Sequence, residues 1–264
     1  MTQELLTTIE GGVAVLTMNR AESLNALTGD MLKALAEQTH KLAHDSAIGC
    51  VVLTGAGNAF CAGGDVKGMA AGGRMGGASL EEKQRDLRVR MEASRILHEM
   101  PKPTIAMVNG VAAGAGLSLA LACDMRIAAK SARMTTAFAK VGFSGDFGGI
   151  YFLNRIVGTA KARELYFTSE VMNADRIEAL GLANYVVADE KLREETMKYA
   201  QRFANGPRVA WSYMKRNMKA AEEGTLSELL DLESFGMTRC AETDDHKEAA
   251  KAFVEKRAPA FKGR

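Results

Sequence analysis

The sequence has little net charge, few cysteines, a single tryptophan and no long apolar run. Its 34 lysines and arginines against 32 aspartates and glutamates leave a formal charge of +2. A balance so near neutral sets up no global field for nucleic acid, and no stripe interleaves aromatic with basic residues. A phosphate-bearing ligand needs only a few local cations and is not excluded. The four cysteines, Cys50, Cys61, Cys123 and Cys240, fit neither a zinc ribbon nor a Cys-x-x-Cys redox site. Three stand in apolar strings (Gly-Cys-Val-Val, Ala-Phe-Cys-Ala, Leu-Ala-Cys-Asp) and read as buried free thiols of a reducing compartment. No uninterrupted apolar stretch reaches the ~18 residues of a membrane span. The richest, Val111 to Cys123, is too short and its side chains too small. The opening Met-Thr-Gln-Glu-Leu-Leu lacks the basic region and apolar run of a signal peptide. The expectation is a cytoplasmic protein with neither membrane nor nucleic acid as partner. His40, His44, His98 and His246 form no triad. His40 and His44 share one helical face but lack a third ligand, so no metal site is expected.

What is present is the composition of an ordinary globular chain. The 264 residues are 47% hydrophobic and 25% charged, enough for one large domain or a main domain with an appendage. Glu4 to Glu10 and Val13 to Met18 read as strands around the turn Gly11-Gly12. Gly29 to His44 has helical periodicity, with Met31, Leu32, Leu35, Ala36 and Leu42 on the apolar side. Cys50 to Thr54 reads as a buried strand, and strand–helix–strand at this spacing implies parallel pairing. The pattern recurs with a polar helix over Leu80 to Glu99, a strand over Thr104 to Val108, a short helix over Ala113 to Ala122 and a strand over Asp124 to Ala128. From Leu192 onward strand signals nearly vanish, and helices are predicted near 190–205, 208–222, 225–239 and 244–256. The fold class is therefore α/β. Residues 1–200 form the expected core, and residues 201–264 a helical region that acts as lid or oligomerisation arm. The glycine-rich segment from Gly68 to Gly77 is either a loop near a site entrance or a passive insertion.

Two glycine turns carry chemistry. Ala62-Gly63-Gly64-Asp65 follows a strand, and Gly114-Ala115-Gly116 opens a helix. Small residues let backbone approach a ligand, and N–H groups at a helix start have no internal partner. Two such groups aimed at one point form an oxyanion hole; the same turns are also suited to phosphate. A dinucleotide fingerprint fails at the third glycine of Gly55-Ala56-Gly57-Asn58-Ala59-Phe60, and no phosphate-binding P-loop string exists.

The string Leu53 to Lys67 resembles the signature of the enoyl-CoA hydratase/isomerase (crotonase) family around its first oxyanion donor. Asn109 to Gly116, followed by Ala122-Cys123-Asp124, resembles the second. Met18-Asn19-Arg20, Leu24-Asn25-Ala26-Leu27 and Phe253-Val254-Glu255-Lys256-Arg257 match as well. The resemblance spans nearly the whole chain. It implies a crotonase-like spiral of ββα units with a helical C-terminal region, assembled as a homotrimer or dimer of trimers. It implies an acyl-CoA substrate, with coenzyme A arriving as part of that substrate and no separate cofactor. The oxyanion N–H groups would belong to Gly64 and Ala115. Glu22, Ser23 and Leu24, with Ala62, Asp65, Val66 and Lys67, would line the coenzyme A groove. Lys256 would reach a coenzyme A phosphate, in a neighbouring subunit if not its own. Glu22, Lys67 and Lys256 read equally well as solvated surface charges.

The acid–base residues decide the reaction. Family hydratases carry two glutamates; the matching positions here hold Ser118 and Phe138, and neither can serve as a carboxylate base. The run Ala137 to Gly149 instead resembles that of ring-1,2-epoxyphenylacetyl-CoA isomerases and some enoyl-CoA isomerases, which place an aspartate where this chain has Asp146. Among Phe143, Gly145, Phe147 and Gly148 a carboxyl group favours its neutral form, which suits a proton carrier. A turn aspartate capping the next helix is the bland alternative. A dehalogenase-like subgroup pairs its aspartate with a tryptophan near the position of Phe138; the sole tryptophan here, Trp211, falls in the C-terminal helices. The reading is an isomerase that moves a C=C bond by an Asp146 proton shuttle. Two rivals remain open. One is a hydratase using Asp146, alone or with water held by Ser118; the other is a non-catalytic acyl-CoA or RNA binder.

Overall fold

The computed structural model describes residues 3–65, 68 and 78–264. Strands β1 (Leu5–Glu10) and β2 (Val13–Met18) pair antiparallel across Gly11 and Gly12, which both take positive φ. Helix α1 (Gly29–His44) has the predicted bounds. Thr28 caps it by accepting from the Met31 N–H at 3.0 Å, and Met31, Leu32, Leu35 and Leu42 face the core. It returns the chain to β3 (Cys50–Gly55), parallel to β2 and buried throughout.

From here a unit repeats. A buried strand is followed by a three-residue strand in a second sheet, and then by helix. The pairs are β3 with β4 (Ala59–Cys61), β5 (Thr104–Val108) with β6 (Val111–Ala113), and β7 (Met125–Ala129) with β8 (Arg133–Thr135). With β9 (Tyr185–Val187) the strands form a six-stranded sheet ordered β1-β2-β3-β5-β7-β9 and a three-stranded sheet ordered β4-β6-β8. All neighbours except β1 and β2 run parallel. Successive units are thus stacked turns of a spiral.

The sheet is covered on both faces, as parallel sheets require. Side chains alternate along each strand. Leu16, Val51, Leu53, Ala106 and Val108 face the main core, with α1, α3 (Glu92–Glu99) and α4 (Ala115–Ala122). Val13, Val15, Val52, Ile105 and Ile127 face the other way, against Leu192, Met197, Ala200 and Ala204 of α8 (Leu192–Ala204). The expected division after residue 200 falls inside this helix. The rest of the C-terminal region is helical, as α9 (Arg208–Ala221), α10 (Leu226–Ala241) and α11 (Asp244–Val254).

Two expected helices differ. The one predicted over 80–99 is two: α2 (Leu80–Arg90), with no buried residue, and α3, which buries Ala93, Ser94 and Leu97. The chain turns at Met91, where it passes from solvent to core. The helix predicted from Ala113 starts at Ala115, because parallel pairing with β4 and β8 holds Val111–Ala113 as strand. Between β8 and β9 lie α5 (Gly149–Val157), α6 (Thr159–Thr168) and α7 (Ala174–Ala179). No described helix is long and apolar enough to cross a membrane.

Two asparagines fasten the loops between the sheets. Asn25, fully buried at φ 57°, donates to the carbonyls of Ala56 and Ala59 at 2.9 and 2.8 Å and accepts from the Arg20 N–H at 2.9 Å. Asn109 donates to Gly55 and Gly57 at 2.9 and 2.8 Å. Asn25→Ala leaves the Arg20 N–H and the Ala56 carbonyl without this partner, while the Ala59 carbonyl keeps Asn109 at 3.1 Å, and it forces alanine into a left-handed conformation, so it is expected to cost about 2–4 kcal/mol. A urea unfolding series measures this; a loss below about 0.5 kcal/mol would show that the amide is not the fastening.

Candidate active site

Strands β4 and β6 are parallel neighbours, and each runs straight into a glycine turn, so the two turns emerge side by side. The first is fixed by Leu27, whose N–H donates to the Gly63 carbonyl at 2.7 Å and whose carbonyl accepts from the Asp65 N–H at 3.4 Å. In a parallel bridge the residue between those two, Gly64, turns its own N–H to the opposite side. The second turn pivots on Gly114, at φ 52° and ψ −124°, a conformation reserved for glycine. It leaves the N–H of Ala115 as the first of α4, without an intrahelical acceptor. No hydrogen bond of either N–H is recorded among the described residues.

Contact between the turns depends on missing side chains. A methyl group at Gly116 would lie 2.3 Å from the Cys61 carbonyl oxygen, and one at Gly63 would lie 2.8 Å from the Ala113 oxygen and 3.6 Å from the Ala115 nitrogen. The first turn is therefore pressed against the start of α4. All eight residues of that helix are buried, which holds its N-terminus rigid.

Ser118, one turn along α4, and Phe138, in the short 3-10 turn Phe138–Val141, both face this start. The Ser118 hydroxyl donates to the Gly114 carbonyl at 3.3 Å. The Phe138 ring lies against Gly114 and stacks on Tyr166 of α6, with centroids 6.1 Å apart and planes 6° from parallel. Gly149, the first residue of α5, fits between the Ser118 and Tyr166 hydroxyls, where a methyl group would lie 2.3 and 2.6 Å from the two oxygens. Its N–H donates to the Asp146 carbonyl at 3.1 Å. This chain of contacts ties the Asp146 turn to the second glycine turn. Phe147 adopts φ 50°, rare for a bulky residue, and is held there with its ring only 2% exposed.

Asp146 Oδ1 is buried with no hydrogen-bond partner. Burial alone pushes the carboxyl up from its ordinary value near 3.8 to about 6. Paired surface carboxylates behave oppositely: Glu92, hydrogen-bonded by Arg95 and Arg88, is held below its usual range.

Ala115, Ser118, Phe138 and Asp146 are thus brought together, with Gly64 on the adjoining turn. Glu22 and Ser23 lie in a 3-10 turn beside the first glycine turn, where the Leu24 carbonyl accepts from the Ala62 N–H at 2.9 Å. Asp65 lies 3.5 Å from Arg20 and accepts from the Gly68 N–H at 3.0 Å. Val66, Lys67 and the glycine-rich segment after Gly68 lie outside the described residues. Lys256 is exposed past the end of α11, at φ 54°, with no recorded contact to the group around Ala115. Tyr166 is the residue that sequence reasoning missed; a tyrosine inside a helical run carries no signal of its own. No cluster of metal-ligating side chains occurs among the described residues.

Residues 8–264 match the family model described as Enoyl-CoA hydratase/isomerase. The chain is 37% identical over 268 residues, covering all of both chains, to a 1,2-epoxyphenylacetyl-CoA isomerase of Escherichia coli (strain K12). It is 35% identical to a short-chain-enoyl-CoA hydratase of Clostridium acetobutylicum, over 94% of this chain and 93% of that one. Among solved structures, an enoyl-CoA hydratase from Polaromonas sp. JS666 superposes with a TM-score of 0.91 at 32% identity, covering 98% of this chain and 99% of that one.

The raised pKa has a consequence for stability. Between pH 3.8 and about 6 the folded chain holds more protons at Asp146 than the unfolded chain does, so stability falls as pH rises through that window. Above it the full cost of the desolvated charge is present. Asp146→Asn, isosteric and uncharged, is expected to gain about 1–3 kcal/mol at pH 8, shrinking below about 0.5 kcal/mol at pH 4. Urea titrations at the two pH values test this, and an equal gain at both would show that the charge is not what costs.

Proposed function

Since the chain belongs to the enoyl-CoA hydratase/isomerase family, we propose that it moves a carbon–carbon double bond within an acyl-CoA thioester, with Asp146 carrying the proton. The observation behind this reading is the buried, unpartnered Asp146 carboxyl with its pKa raised to about 6, at a site whose other two acid–base positions hold Ser118 and Phe138. In the proposed reaction the thioester oxygen accepts from the N–H groups of Gly64 and Ala115. Asp146 takes a proton from the α-carbon, and the electron pair spreads onto the thioester oxygen as a dienolate. The same carboxyl then returns the proton to the γ-carbon, and the double bond ends one position over. One carboxylate suffices for this shuttle, whereas hydration must also activate water. The Ser118 hydroxyl, already donating to Gly114, is a poor replacement for a glutamate in that role.

Each fixed backbone donor contributes about 2.7–4 kcal/mol to such a barrier, because it is aimed where charge develops and needs no reorganisation. The coenzyme A moiety would run along Glu22 to Leu24 and Ala62 to Asp65, with Lys256 meeting a phosphate. Exposed apolar residues of the C-terminal helices, Leu230, Phe235 and Met237 with Phe253 at 85%, favour assembly as a trimer or dimer of trimers.

Purified wild type and Asp146→Asn are to be compared on α,β- and β,γ-enoyl-CoA pairs. Wild type is expected to interconvert the isomers without gain of mass, and the variant to be slower by about 10²–10⁴-fold. Only the ionised carboxyl accepts a proton, so wild-type kcat/KM should fall as pH drops below about 6. A mass gain of one water, or isomerisation that survives the substitution, would contradict the proposal.

A further inference from the structure

Tyr166 carries a polar group that nothing in the protein uses. Its hydroxyl makes no recorded hydrogen bond among the described residues, yet it lies against Gly149, and its ring edge lies against Gly145, where a methyl group would sit 3.2 Å from Cε1. These glycines flank Asp146 on both sides in sequence. The Asp146 charge acts on the phenol: burial first, and the carboxylate second, push its ionisation above the ordinary range. The phenol therefore remains a donor at any working pH. Beside it, Asp146 Oδ1 is buried and has no partner. A donor and an acceptor thus stand in one corner of the site, and no hydrogen bond joins them. Ser118, the other hydroxyl at Gly149, is already engaged with the Gly114 carbonyl.

The unpaired, buried Asp146 oxygen costs free energy until a ligand satisfies it, and the half-buried Tyr166 hydroxyl is a donor left free to help. A single hydroxyl would satisfy both, accepting from the Tyr166 O–H through its oxygen and donating its own hydrogen to Asp146 Oδ1. We infer that Tyr166 is a specificity-determining residue, and that with Asp146 it clasps a hydroxyl carried by the acyl group. The preferred substrates are then hydroxylated acyl thioesters rather than plain hydrocarbon ones. The inference rests on the reading of Asp146 as the working carboxyl and adds a task for its second oxygen: one carries the proton, the other holds the hydroxyl. The flat wall made by Phe138 and Tyr166 stacked together admits a ring as readily as a chain.

The test measures binding, so that it stays independent of any bond shift. Dissociation constants of phenylacetyl-CoA and meta-hydroxyphenylacetyl-CoA, and of butyryl-CoA and β-hydroxybutyryl-CoA, are measured by calorimetry on full-length wild type and Tyr166→Phe. The phenylalanine keeps the ring stack on Phe138. Wild type should bind the hydroxylated member of at least one pair about tenfold more tightly. Tyr166→Phe should lose that preference while binding the plain member within about twofold of wild type. If wild type does not distinguish the members of either pair, the donor and acceptor hold water instead and the proposal fails. It fails equally if the preference survives in Tyr166→Phe. Should Asp146→Asn still isomerise while Tyr166→Phe loses the preference, the proton shuttle is wrong and the clasp stands.

Discussion

Everything at the site depends on how closely two backbone segments approach. The Cys61 carbonyl meets Gly116 at a separation that excludes even a methyl group, and Ala113 meets Gly63 in the same way. That approach sets two N–H groups on adjoining turns, with their direction fixed by strand pairing on one side and by a buried helix on the other. An oxyanion hole made of backbone has no side chain to lose its rotamer, and its donors are oriented before substrate arrives. The cost falls on the chain itself, which must pair three-residue strands, bury a whole helix and keep glycine where the turns touch.

Opposite this rigid element stands a group kept in an uncomfortable state. Asp146 has no cation and no donor on its buried oxygen, and it follows Gly145 and precedes Phe147, both at positive φ. Such arrangements persist where surrounding packing over-determines them. Here the buried Phe147 ring and the contact of Gly149 with two hydroxyls supply that packing. Raising the pKa of the carboxyl brings it near neutrality, where a group both takes and returns a proton efficiently. Elsewhere the chain behaves conventionally: Glu248 is pulled down to about 2 by Arg257, and Lys215 meets Asp124 at 2.7 Å.

Long elements were legible in the sequence because their periodicity extends over several turns or pleats. The bounds of α1 and the strands β1, β2, β3 and β5 follow from apolar spacing and from glycine punctuation. The second sheet was not legible, since β4, β6 and β8 are three residues each and too short to show alternation. The helix break at Met91 was hidden because both halves are good helix formers and only burial separates them. At the site, the two glycine turns were visible as strings, and Asp146 as a carboxylate among aromatic and glycine residues. Tyr166 was not, because its part arises from stacking on a residue 28 positions earlier (166 − 138), a proximity that only the packed fold creates. Asn25 carried no chemistry of its own in the sequence; its task appears only when three backbone groups from two loops are seen to meet on its amide.

In the proposed reaction the oxyanion turn makes the α-carbon acidic and Asp146 is the base that acts on it. The measurement that tests this most directly needs no knowledge of the natural acyl group. Saturated acyl-CoA thioesters are incubated in deuterium oxide with wild type and with Asp146→Asn, and the α-proton signal is followed by NMR. Wild type is expected to wash deuterium into the α-position and the variant to leave the signal intact. Equal exchange by both proteins would contradict this by removing Asp146 from the proton's path.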